Sequence, residues 1–302
     1  MRKLILVIIL FISLSFTQRG LTYKEIMYGD TLVLTYDNNS GVIDWDNCGK
    51  NIVFESGSEQ SKKIFYLNLY DLPINFSRNG FHSAKYVNEL VDKYRVYVPL
   101  VGAKDTSFTS PKWNISGKKI LSIGHYREEN EIFLTEKYSR ITQGTGIKNI
   151  ETAHWKNDTV FYLVFKNNPN QLLEYNRVTK KKRIIAETNH SIDGISKQKN
   201  KLFLTCNGGA YEYSTNKGNL RWYKLPIKGK TVARLGRLNF VGLNQSGSAQ
   251  VLDLNNATAH PFSVGEKDGP PSISYDKKFV AFYSGYVNGI VVKRIDKKFY
   301  IE

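Results

Sequence analysis

Sulfur is scarce in this chain: 302 residues hold two cysteines and two methionines. That excludes a disulfide-rich scaffold and a thiolate-clustered zinc site. The five histidines, His82, His125, His154, His190 and His260, show neither i, i+4 spacing nor a Cys-His cluster, so no metal motif is readable. No nucleophile elbow and no phosphate-cradling glycine loop occurs; Gly144-Thr145-Gly146 and Gly208-Gly209 read as turns. Carboxylates are few, with Glu128-Glu129 and Glu131 as their one local cluster, which reads as a solvated loop. Past the N-terminus no apolar run approaches the roughly 20 residues of a membrane span. Proline is modest, whereas aromatics reach 13% with 19 Tyr and 16 Phe, a usage that favours strands.

Met1-Arg2-Lys3 precedes an apolar run from Leu4 to Leu14 and then Ser15-Phe16-Thr17-Gln18. A charged start, a short apolar core and small residues at a cleavage point predict a signal peptide over residues 1–17, and so a periplasmic or secreted protein without a transmembrane anchor after cleavage. The remaining chain is strongly basic, with 43 Lys and Arg against 27 Asp and Glu in the full sequence. The cations sit mostly as pairs in expected turns, such as Lys62-Lys63, Lys118-Lys119 and Lys277-Lys278. They read as solvated turns or as attraction for acidic glycans, anionic head groups or an acidic partner. Nucleic acid is not expected.

One pattern recurs. Asp44-Trp45-Asp46-Asn47-Cys48-Gly49-Lys50-Asn51-Ile52 returns as Lys112-Trp113-Asn114-Ile115-Ser116-Gly117-Lys118-Lys119-Ile120, and in outline as Ser272 to Val280. From Trp113 to Trp155 is 42 residues, from Trp155 to Ile195 is 40, and from Ile195 to Ile273 is 78, close to twice 39. With Trp45 these anchors define six units. Period-2 apolar runs between Gly, Asn, Asp and Lys turns make each unit a four-stranded antiparallel sheet in outline. A sheet of that size repeated at about 40 residues buries its faces only by stacking in a closed ring. The fold class is therefore all-β, a six-bladed β-propeller forming a single domain over residues 18–302.

Three consequences follow from counting. Trp45 to Trp113 spans 68 residues, so an insertion lies over about residues 74–107; in it Val87, Leu90, Val91 and Tyr94 take helical spacing behind Ser83, predicting a partly helical insertion after the first blade. Cys48 and Cys206 fall on units one and four, across the ring from each other and beyond the roughly 4.4–6.8 Å between bridged Cα atoms, so both thiols are expected to be free. Thr31 to Tyr36 has no partner in the first unit and is expected to complete the last blade beside Ile290 to Ile295, with Phe299-Tyr300-Ile301 as competitor. Trp45, Trp113 and Trp155 share one blade position and read as packing between blades.

Ser110-Pro111-Lys112-Trp113-Asn114-Ile115-Ser116-Gly117-Lys118-Lys119-Ile120, followed by Glu131-Ile132-Phe133-Leu134 and Arg140-Ile141-Thr142, resembles the blade repeat of TolB-type, WD40-like six-bladed β-propellers. Pro270 to Asp276 and Asp44 to Lys50 look like weaker copies. The resemblance spans roughly residues 40–300 and implies a bacterial envelope or extracellular propeller that binds something at its channel or rim. With about 20 residues between the signal peptide and the first blade, the separate α/β domain of TolB is not expected here, so its partner is not carried over.

The reading that results is an exported, monomeric, non-enzymatic binding or scaffold propeller, engaging a protein, peptide or acidic glycan at one end of its channel, without metal or cofactor. Binding candidates are His125, His154 and His190, which a propeller can gather near its axis, and Tyr86 and Tyr94 of the insertion; no catalytic residue is assigned. The alternative is a lyase or hydrolase on a polymeric substrate with an axial histidine and carboxylate site.

Overall fold

A computed structural model describes residues 31–33, 40–49, 51–58, 62–68, 106–137, 141–263, 267–286 and 288–299. The expected signal peptide, His82, and most of the insertion with Tyr86 and Tyr94 lie outside the described residues.

After β1 (Thr31–Val33), the strands fall into six antiparallel sheets in chain order. The first blade holds β2 (Ser40–Trp45), β3 (Asn51–Ser56) and β4 (Lys63–Asn68), three described strands. The second holds β5 (Ser107–Trp113), β6 (Lys119–Tyr126), β7 (Glu129–Glu136) and β8 (Thr142–Lys148). The third holds β9 (Ile150–Trp155), β10 (Val160–Phe165), β11 (Asn168–Asn176) and β12 (Lys182–Glu187). The fourth holds β13 (Ile192–Gln198), β14 (Lys201–Cys206), β15 (Gly209–Ser214) and β16 (Leu220–Lys224). The fifth holds β17 (Ile227–Arg234), β18 (Asn239–Asn244), β19 (Ala249–Asp253) and β20 (Thr258–Pro261). The sixth holds β21 (Ser272–Ile273), β22 (Phe279–Ser284) and β23 (Gly289–Arg294). The first strand of each blade touches the first strand of the next, and β21 touches β2, so the six close a ring. This is a six-bladed β-propeller.

The recurring hairpin is built by its own side chains. Asn114 Oδ1 accepts the Lys118 and Lys119 amides, both at 2.9 Å, and Gly117 takes φ +66°, where a Cβ is unfavourable. Asp46 and Gly49 repeat this in the first blade, with the Asn51 amide 3.0 Å from Asp46 Oδ1 and φ +66° at Gly49. In the sixth blade Ser274 takes the capping place, and Lys277 adopts the left-handed conformation itself at φ +62°.

Both faces of a blade are buried by its neighbours, which is why β3 is buried at every residue. Between blades two and three Trp155, Phe161 and Leu163 pack on Leu121 and Ile123; between four and five Phe203 meets Phe240, and between five and six Val251 and Leu243 meet Phe282. Phe161, Phe203, Phe240 and Phe282 are fully buried, each contributing about 1.5–3 kcal/mol of transfer free energy.

The ring is fastened as the sequence predicted. Strand β1 pairs with β23, Thr31 opposite Lys293, Leu32 opposite Val292 and Val33 opposite Val291. Phe299 does not compete: it ends a 3-10 turn, Lys297–Phe299, and is buried with its ring 4.8 Å from that of His260. Cys48 is exposed and Cys206 buried, both free.

Three expectations are corrected. Gly144-Thr145-Gly146 is no turn but the middle of β8, where Gly144 leaves room for Glu131, whose Oε1 accepts the Gly146 amide at 2.5 Å. Glu131 is correspondingly a strand residue on β7, while Glu128 and Glu129 are exposed. The anchor of the fourth blade is Lys197 rather than Ile195, for a reason that lies in the channel.

Candidate functional site

The six inner strands, β2, β5, β9, β13, β17 and β21, run the same way along the axis, and their final residues gather around a cavity of about 770 Å³. Each inner strand brings two columns there, because successive side chains point to opposite sides. The first column is Trp45, Trp113, Trp155, Lys197, Arg234 and Ile273, which stand opposite Ile52, Ile120, Phe161, Leu202, Phe240 and Val280 on the second strands. Its members reach sideways to the preceding blade. Trp45 Nε1 donates to the Ser272 carbonyl at 3.1 Å and Trp155 Nε1 to that of Lys112 at 3.0 Å. Lys197 Nζ does the same to the carbonyls of Lys156 and Trp155, at 3.0 and 3.4 Å. Arg234 donates its amide to Gln198 Oε1 at 3.1 Å and its guanidinium to Glu212 at 2.6 Å. Cations thus occupy the tryptophan position in blades four and five. Trp113 Nε1 alone of the three indoles is buried without a partner among the described residues.

The second column precedes the first by one residue and lines the cavity: Asp44, Lys112, His154, Ser196, Ala233 and Ser272. Ionisable groups fill three consecutive blades and small residues the other three. Lys112 Nζ lies 3.5 Å from Asp44 Oδ1, and the Trp113 amide donates to Asp44 Oδ2 at 2.9 Å. Burial raises the Asp44 carboxyl above the usual carboxylate range, although Lys112 and that amide pull it down. His154 Nδ1 is 3.1 Å from the Trp155 carbonyl; since a carbonyl only accepts, Nδ1 carries the proton and Nε2 is left as an acceptor. Burial, reinforced by the charges of Lys112 and Lys197, pushes His154 down to about 3, so the imidazole is neutral at physiological pH. Burial and nearby Lys156 likewise lower Lys197.

Six cations line the cavity, Lys112, Lys197, Lys199, Lys201, Arg234 and Lys277, against the two carboxylates Asp44 and Asp46. Lys201 and Arg234 share Glu212, each at 2.6 Å. Two apolar side chains, Ile115 and Tyr275, stand exposed at the rim on the hairpin turns of blades two and six.

The histidines that the sequence placed near the axis are divided between two ends. His154 is at the cavity end. His125 faces Ser107, the first residue of β5, and its Nε2 is 2.8 Å from Thr109 Oγ1, at the end where inner strands begin; burial and the charges of Lys166 and Lys230 lower its pKa. His190 lies just before β13, also at that end, stacked on Trp222 at 4.5 Å and 10°, with Nδ1 2.9 Å from the Tyr211 hydroxyl. No group of three histidine, cysteine or carboxylate side chains suited to a metal is formed among the described residues. Sequence reading missed Asp44, Lys112 and Lys197, although the signal was present: the residue beside each repeated tryptophan changes from Asp to Lys to His.

No protein-family model matches the sequence, and no curated protein matches it. Solved structures do match in fold. A β-propeller domain from Myceliophteria thermophila aligns with a TM-score of 0.53 and 9% identity, covering 88% of this chain and all of that one, 100%. An oligogalacturonate lyase in complex with manganese aligns with a TM-score of 0.50 and 11% identity over 90% of this chain and 99% of its own. TolB from Acinetobacter baumannii aligns with a TM-score of 0.45 and 12% identity, covering 82% of this chain and 80% of that one. At these identities the first two share with this chain the architecture of a β-propeller, and its chemistry has to be read from its own channel.

Proposed function

We propose that this chain is an exported binding propeller that takes an acidic ligand at the channel end where its inner strands finish. The observation that carries the reading is the lining of the cavity, six cations against two carboxylates, with Lys197 hydrogen-bonded, among the described residues, only to main-chain carbonyls. A concave site with an excess of one charge concentrates ligands of the other sign. Export rests on the N-terminal sequence and is tested by cell fractionation with N-terminal sequencing of the mature protein.

Isothermal titration of the protein with poly-glutamate, an acidic oligosaccharide and a neutral dextran tests the binding. At least one acidic polymer binds, more weakly as salt is raised, and Lys197→Gln weakens it several-fold. Equal binding of the dextran, or an unchanged affinity in Lys197→Gln, overturns the reading.

A catalytic reading keeps one supporting observation: Asp44, Lys112 and His154 share the cavity on consecutive blades. A lyase or hydrolase acting there would shorten an acidic polymer on prolonged incubation, and Asp44→Asn would stop it.

A further inference from the structure

Hydrogen bonding inside the cavity is lopsided, and this deepens the proposed anion-binding role, on which it rests. His154, 8% exposed, has spent its only proton on the Trp155 carbonyl, and Nε2 has no partner among the described residues. Ser196 donates its hydroxyl proton to the Val232 carbonyl, and Thr231, 5% exposed, donates its own to the Pro271 carbonyl at 3.0 Å. Each of these oxygens keeps acceptor capacity toward the cavity that both residues line. Three acceptors that face the cavity with no proton to offer are satisfied by water until a ligand brings donors in its place, so the wall selects for a ligand that supplies donors. The same cavity supplies positive charge through Lys197, whose ammonium shares the Trp155 carbonyl with the His154 ring.

We propose that the ligand carries a hydroxyl beside a carboxylate, the chemistry of an acidic sugar, with the hydroxyl donating to His154 Nε2, further hydroxyls donating to Ser196 and Thr231, and the carboxylate resting on Lys197. A polycarboxylate without hydroxyls satisfies the cation and leaves the acceptors bare. A neutral sugar does the reverse. The hydroxy-carboxylate is the class that matches both halves of the wall.

Titration calorimetry with the full chain and four probes decides this: a glucuronate-containing tetrasaccharide, free glucuronate, cellotetraose and propane-1,2,3-tricarboxylate, which has carboxylates but no donor at neutral pH. The tetrasaccharide or glucuronate binds at least tenfold tighter than the tricarboxylate and cellotetraose; tight binding of glucuronate itself points to a free sugar acid, and preference for the tetrasaccharide to a glycan chain. His154→Phe and Thr231→Val, each confirmed as folded by its melting temperature, weaken the sugar acid by roughly tenfold and leave the tricarboxylate unchanged, whereas Lys197→Gln weakens both. If the tricarboxylate binds as tightly as the sugar acid, or if the two acceptor variants weaken both probes equally, the hydroxyl assignment is wrong while the anion site stands. If no acidic probe binds, both readings fall.

Discussion

Lys197 and His154 hang on one carbonyl: the Trp155 oxygen accepts from His154 Nδ1 at 3.1 Å and from Lys197 Nζ at 3.4 Å. Burial opposes protonation of the imidazole most, and the charges of Lys112 and Lys197 oppose it further, which together push His154 down to about 3. The unfolded chain, with an ordinary histidine, binds a proton near pH 6.5. Between those values the unfolded state holds more protons, so stability is lost as pH falls from about 6.5 toward 3. The slope approaches about 1.4 kcal/mol per pH unit in that window. Urea unfolding at pH 7 and pH 4.5 should show the loss in the wild type and a flatter profile in His154→Gln; matching profiles would assign the acid sensitivity to other groups.

The fastening strand gives a second prediction. Deleting residues 21–36 removes β1 and exposes the edge of β23, and the melting temperature should fall by about 5–10 °C, the equivalent of roughly 2–3 kcal/mol in a chain of this size. An unchanged melting temperature would mean that the sixth blade does not depend on β1.

Gly194 marks the closest approach of two blades. A Cβ there would come within 1.6 Å of the Lys230 carbonyl oxygen, so β13 and β17 would have to separate. Gly194→Ala is expected to destabilise by about 3 kcal/mol or more. Gly146→Ala, at φ +75° with open space around it, should cost only about 1 kcal/mol from its backbone, and a comparable loss in the two variants would contradict the tight seam.

The thiols should separate cleanly. Cys48 is exposed, whereas Cys206 is 2% exposed and its thiol is pushed up to about 12 by burial and the charge of Asp193. A thiol-specific chromogenic reagent should titrate one equivalent in the native protein and the second only in denaturant. Two fast equivalents would show that β14 opens readily.

The hairpin with its tryptophan and glycine made the ring legible in the sequence, because turn chemistry and alternation are local. Trp45, Trp113 and Trp155 marked three blades on sight. The fourth was misplaced at Ile195, since the residue doing the work of the tryptophan is Lys197, and a cation reaching a neighbour's carbonyl has no apolar signature. Likewise β20 went unread: Thr258 to Pro261 is an exposed outer strand, where neither alternation nor apolar content is required. The site was the least legible part. His154 was foreseen near the axis, but its separation from His125 and His190 depends on which end of a strand each occupies. The acceptor character of the wall depends on where Ser196 and Thr231 send their protons.

The pairing of β1 with β23 also orders events in time. Residues 31–33 must wait for residues 289–294, made five blades later, before either edge is satisfied. That contact joins the two strands that flank the ring, the kind of long-range closure that slows folding. Five blades can therefore stack while the ring is still a horseshoe, with a lone strand at one end and a bare edge at the other. During that interval the β1 of a neighbouring copy offers the same hydrogen bonds, so the chain is exposed to exchange between molecules until its own β1 and β23 meet.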